Sequence, residues 1–142
     1  PFDLSKLNKH PPPQAYLRGD ARRGGTYQRI TETGNARIEA LCCAVADGLP
    51  VAIGTLVDRG IGPLKGPRLL SRPVSAEKAI GGHLMCVIGY RDHGARFEVL
   101  NSYGRGWRDD GICEIEADYV AWEQTQDLVI IDAWRGLTKA AA

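Results

Sequence analysis

Gly81-Gly82-His83-Leu84-Met85-Cys86-Val87-Ile88-Gly89-Tyr90 and Ala95-Arg96-Phe97-Glu98-Val99-Leu100-Asn101-Ser102-Tyr103-Gly104 decide how this 142-residue chain reads. Each stretch alternates with the period of two of a half-buried strand. His83, Met85 and Val87 share one face of the first, and Phe97, Val99 and Asn101 share one face of the second. Between them, Arg91-Asp92-His93-Gly94 is turn chemistry: Asp accepts local backbone hydrogen bonds and Gly tolerates positive φ. The pair is therefore expected to form an antiparallel hairpin.

With Arg91, Asp92 and His93 as the loop, Tyr90 pairs with Gly94, and counting back sets His83 opposite Asn101. A slip of one residue would flip the faces, so this expectation is conditional on loop length. Directly opposed residues have Cβ atoms about 5 Å apart. An Asn oxygen at that distance can accept from one imidazole nitrogen and leave the other free for a nucleophile. This is the base-plus-orienter part of a nucleophilic site.

Gly82-His83, Val87-Ile88-Gly89-Tyr90, Asn101-Ser102-Tyr103-Gly104, Trp107 and Asp110-Gly111 resemble, in this order, the C-terminal half of papain-like cysteine peptidases. Upstream, Pro1-Phe2-Asp3, Lys6-Leu7-Asn8 and Pro11-Pro12 resemble the link into this half, and Gly48-Leu49-Pro50-Val51 the step from helix to first strand. The resemblance implies an α+β fold: an antiparallel, β-barrel-like half with one main helix and a long loop. Residues 1–35 would be an irregular lead-in and 36–142 the barrel domain. It implies that His83 is the catalytic histidine and Asn101 its orienting asparagine, with Gly82, Tyr103 and Trp107 in supporting or shielding places. In the family a Trp usually stands where Tyr103 is and a Gly where Arg108 is. A Tyr can still cover the Asn–His contact, but its hydroxyl wants a partner.

The resemblance also implies a cysteine nucleophile at the start of a long helix in the preceding half. Papain-type His and Asn residues lie about 130–150 residues beyond that cysteine. His83 is too close to Pro1 for that spacing, and no Gly-Ser-Cys-Trp-like segment occurs in the chain. The expected partner is therefore a Cys-bearing peptidase half, in the same precursor or in trans, or another protein chain. A peptide would be the substrate, and no cofactor or metal is expected. Pro1 is compatible with a removed initiator Met or with the cut end of a longer chain.

The remaining residues set bounds. The length fits one domain with a core. A net charge of +1 argues against nucleic acid as main partner, and no apolar run approaches a membrane span. No signal-peptide pattern opens the chain. Cys42, Cys43, Cys86 and Cys113 form no Cys-x-x-Cys pair or metal spacing, so they read as reduced packing thiols, which favours a cytosolic compartment. Cys42 or Cys43 as a local nucleophile is the alternative. Both lie about two turns inside a helix expected from an Asn35 cap to Asp47, beyond reach of the N-terminal dipole. Ile38, Leu41, Cys42 and Val45 form the apolar face of that helix.

Elsewhere, Pro11-Pro12-Pro13 disfavours helix, Gln14–Arg23 is a possible short helix, and Arg18, Arg22 and Arg23 form a small basic cluster. Short strands are expected at Tyr27–Ile30, Val51–Val57, Ile112–Glu116 and Leu128–Asp132, with Cys113 and Ile115 inward and Glu114 and Glu116 outward. Residues 58–80 form a loop without periodicity, in which Leu69, Leu70 and Val74 either line a cleft or anchor the loop. Trp122 and Trp134 are expected to pack at the barrel end. His10 and His93 read as surface residues. Three functions stay open: a peptidase half needing its Cys-bearing partner, an inactive descendant used for binding or structure, or a self-contained enzyme using Cys42 or Cys43.

Overall fold

A computed structural model describes residue 5 and residues 8–20 and 27–131. Residues 13–20 form a helix, α1 (Pro13–Asp20). Its first residue is proline, whose fixed φ suits the first helical position, so helix begins inside the Pro run. Arg22, Arg23, Trp134 and the C-terminal tail lie outside the described residues.

A compact unit spans Tyr27–Ile131. Its elements are β1 (Tyr27–Arg29), α2 (Gly34–Ala46), β2 (Val51–Val57), β3 (Gly81–Arg91), β4 (Arg96–Leu100), β5 (Ile112–Glu116), α3 (Ala117–Ala121) and β6 (Gln126–Ile131). The six strands make one antiparallel sheet in the order β1-β6-β2-β3-β4-β5. The barrel-like closure expected from the sequence is corrected here: among the described strands, β1 and β5 are the two ends and do not pair. No helix among the described residues is long and apolar enough to cross a membrane.

Alternation places the core on one face. Val51, Ile53, Met85, Val87, Val99 and Ile115 are all 5% exposed or less. Burial of each such side chain favours folding by about 1.5–3 kcal/mol. α2 adds Leu41 and Ala44, and its Ile38, Cys42 and Val45 pack against the same cluster. The N-cap position of α2 is Thr33 rather than Asn35, and Gly48, at φ +75°, lies just past its end. Buried Arg37 on α2 donates to four carbonyls, of Glu32, Val120, Trp122 and Thr125, and so ties the helix to the α3–β6 corner.

The hairpin forms as expected, with a corrected register. Its loop is Asp92–Ala95, closed by an Ala95 N–H···O=C Asp92 bond of 3.1 Å, so Arg91 pairs with Arg96 and Tyr90 with Phe97. Four loop residues in place of three would put His83 and Asn101 on opposite faces. A bulge restores the parity: Gly89 pairs with Glu98 but Val87 with Val99, leaving Ile88 as the extra residue. Extending that register, Asn101 falls level with Met85, one pleat from His83. His83 and Asn101 therefore share a face and meet diagonally.

Asp92, His93 and Gly94 all have positive φ at the loop. Gly94 has φ +89°, and a Cβ there would lie 2.7 Å from the Cys42 sulfur. Gly94→Ala is expected to destabilise the fold by about 2–4 kcal/mol, from overpacking and left-handed strain together. The urea midpoint is the readout, and an unchanged midpoint would contradict this packing.

Glu114, expected to face water, is 8% exposed. The reason lies in the long loop. Leu69 bridges to Glu114 in parallel, and Arg68 donates to Glu98 and Glu114, both at 2.9 Å, and also pairs with Asp109. Glu98 has its pKa lowered, mainly by its hydrogen bond from Arg91. Leu70 is 4% exposed and anchors the loop, whereas Val74 is 89% exposed.

Candidate active site

His83 is the third residue of β3 and pairs across β2 with Thr55. Its Nε2 lies 2.8 Å from Asn101 Oδ1. The orientation of the amide is set independently, because the Ser102 backbone N–H donates to the same Oδ1 at 2.7 Å. An amide oxygen only accepts, so Nε2 carries the hydrogen in this contact. In the neutral ring, Nδ1 then holds a free lone pair. Asn101 is 6% exposed and sits where β4 ends, its N–H bonded to Gly111 O at 2.9 Å. Its Nδ2 is buried without a hydrogen-bond partner among the described residues.

Two aromatics back this pair. The Tyr103 ring centroid lies 5.3 Å from that of His83, and Trp107 meets Tyr103 edge-on at 5.8 Å. Trp107 is fully buried and its indole N–H donates to Ile61 O at 2.9 Å. Tyr103 is 46% exposed, so its ring bounds the pair on a side that water reaches. Gly82 pairs with Leu56 of β2, and a Cβ there would meet nothing within 4 Å, so the space beside it is open.

An open groove of about 410 Å³ runs beside His83, lined by residues 54–56 and 82–84 with Gln124, Gln126 and Asp127. Gly54 keeps it open: a Cβ there would lie 3.3 Å from Gln126 O and 3.5 Å from Asp127 Cβ. Gly54 and the β6 residues carry no sequence mark, because the β2–β6 pairing that joins them spans most of the domain.

The cysteines lie elsewhere. Cys42 packs under Gly94 at the far tip of the hairpin. The run of β3 from that tip to His83 is about 25 Å at 3.3 Å per residue. Burial raises the Cys42 thiol pKa, with a smaller contribution from Cys43. Cys86 is three residues from His83, hence on the other sheet face, and burial raises it too. Cys113 is fully buried, and mainly for that reason its pKa is raised to about 11. Cys43 is exposed, against the expectation that it packs, because it falls outside the helix stripe that meets the sheet. Ellman's reagent is therefore expected to label Cys43 in its first phase and to leave Cys113 unlabelled until the chain unfolds. Early labelling of Cys113 would contradict the burial.

No family model matches the chain. An uncharacterized peptidase C1-like protein of Acanthamoeba polyphaga mimivirus is 30% identical over 128 residues, covering 86% of this chain and 41% of that protein. Xylellain, a cysteine protease from Xylella fastidiosa, superposes with a TM-score of 0.73 at 25% identity, over 87% of this chain and 46% of its own. The digestive procathepsin L2 proteinase of Tenebrio molitor larval midgut superposes with a TM-score of 0.56 at 23% identity, over 77% of this chain and 34% of its own. The chain thus spans less than half the length of each. The sequence similarity and both superpositions extend well beyond the hairpin, over 86%, 87% and 77% of this chain. These similarities support a papain-like C1 peptidase family for the chain, and its described residues form the β-rich half of that fold.

Proposed function

We propose that this chain is the His/Asn-bearing half of a cysteine peptidase, which hydrolyses peptide bonds with a thiolate supplied by a Cys-bearing half. The observation that carries this reading is the 2.8 Å His83–Asn101 contact, which leaves His83 Nδ1 free. In the proposed reaction Nδ1 takes the thiol proton, and Asn101 Oδ1 steadies the imidazolium through Nε2–H. The thiolate attacks the scissile carbonyl, and the amine leaves with the proton returned from Nδ1. Water, deprotonated by the same nitrogen, then hydrolyses the thioester. No cofactor enters this scheme. The groove at Gly54, Thr55 and Leu84 supports it by giving a peptide side chain a place beside the base.

A second reading, an inactive papain-like module used for binding or structure, is favoured by Tyr103 and Arg108, where the family pattern has Trp and Gly. A fluorogenic peptide assay separates the two. The chain by itself is expected to show no turnover at any pH. Joined to a Cys-bearing half, in one precursor or in trans, it is expected to hydrolyse the peptide in an iodoacetamide-sensitive way. Turnover by the chain alone that is lost on His83→Ala would sink the proposal, because it would reveal a local nucleophile.

A further inference from the structure

Trp107 and Arg108 grip the start of the long loop together. The Trp107 indole N–H donates to Ile61 O at 2.9 Å, and the Arg108 backbone N–H donates to Leu64 O at 2.6 Å. The Arg108 guanidinium donates to Gly60 O at 2.6 Å and to Pro67 O. Two adjacent residues thus satisfy four carbonyls of the 60–67 segment. That segment contains Gly60, Gly62, Pro63, Gly66 and Pro67, and forms little regular structure of its own. The guanidinium carbon also lies 4.8 Å from the centroid of the Trp107 ring, within cation–π range.

This grip is held against a local cost. Arg108 has φ +49°, a left-handed conformation that glycine adopts freely and an arginine does not. Its Nε is buried without a hydrogen-bond partner among the described residues. A glycine would suit this backbone better, so the arginine side chain must supply something that the backbone does not need. The contacts lead to the site: Arg108 lies on Trp107, Trp107 meets Tyr103 edge-on at 5.8 Å, and Tyr103 lies 5.3 Å from His83.

We propose that Arg108 is a positioning residue, which fastens the 60–67 segment to Trp107 and thereby holds Tyr103 and the His83 ring in the orientation that meets Asn101. Its importance for turnover rests on the peptidase reading of His83. The geometry itself does not, and is tested without any activity assay.

The test is NMR on the full chain at pH 8, with two readouts. Hydrogen exchange of the Trp107 indole N–H reports the grip, and long-range 1H–15N correlations report the His83 tautomer. Arg108→Ala and Arg108→Gly are expected to speed indole exchange at least about tenfold and to mix the Nδ1–H tautomer into a ring that is otherwise Nε2–H. Arg108→Lys, which keeps a cation but cannot span both carbonyls, is expected to fall between. Arg72→Ala is the control: Arg72 stacks on Trp122 at 5.6 Å and pairs with Asp118, and its loss is expected to leave both readouts unchanged. Arg108→Gly relieves the left-handed strain, so it keeps the test open if Arg108→Ala does not fold. A folded Arg108→Gly chain with the native His83 tautomer overturns the proposal. Faster indole exchange without a change at His83 also overturns it, since that is the result of a purely structural role.

Discussion

Trp107→Ala is expected to destabilise the chain by about 3–5 kcal/mol, the range for deleting a large buried aromatic. Trp107 is fully buried, and it joins three things at once. Its ring belongs to the sheet core, its N–H satisfies Ile61 O, and its edge supports Tyr103. Alanine leaves a cavity, deprives the Ile61 carbonyl of its donor and frees the Arg108 guanidinium from its platform. Urea unfolding gives the measurement. A loss under about 1.5 kcal/mol would mean that the 60–67 segment collapses into the space at little cost, and that Trp107 is not the pillar described here.

The second large effect concerns chemistry. In the peptidase completed by a Cys-bearing half, His83→Ala is expected to lower kcat/KM by about 10²–10⁴, the usual range for losing a general acid–base. Asn101→Ala is expected to lower it less, because the imidazole persists and loses only its fixed orientation and tautomer. Asn101→Asp is the sharper comparison. A carboxylate keeps both acceptor contacts, with His83 Nε2 and Ser102 N–H, and favours the imidazolium. It should therefore move the pH profile of kcat/KM toward higher pH on its basic side, while Asn101→Ala mainly lowers the plateau. Equal losses for His83→Ala and Asn101→Ala, with no change in profile for Asn101→Asp, would remove the orienting role.

The hairpin was legible because alternation over ten residues is a strong signal, and the order of motifs from His83 to Gly111 carried the family. The register was not legible. One extra residue at Ile88 and a fourth loop residue at Ala95 shift the pairing, and neither carries a mark in the sequence. The His83–Asn101 contact survives because the bulge restores the parity that the longer loop upsets. The open sheet was also hidden. Alternation gives strands but not their neighbours, and β1 and β6 lie far apart in the chain.

Arg37 shows the same limit for burial. A cation on a helix reads as solvated, and only the fold brings four carbonyls to it. The groove beside His83 depends on Gly54, Gln126 and Asp127, which meet through long-range pairing. Arg108 was visible as a departure from the family pattern. Its grip on the 60–67 segment was not, since a loop without periodicity gives no sign of where its carbonyls point.

In the reading we propose, His83 and Asn101 complete a site whose thiol lies outside this chain. The most direct measurement is iodoacetamide alkylation at pH 6 of the His83-bearing protein isolated from its source, with every modified cysteine and every accompanying chain identified. An ordinary thiol is almost wholly protonated at pH 6, whereas a thiol paired with an imidazole is not. Rapid modification of one cysteine near a helix start, on a Cys-bearing segment or partner chain, is expected, and its loss in His83→Ala. No reactive thiol at pH 6, or one at Cys42, Cys43, Cys86 or Cys113, would contradict it.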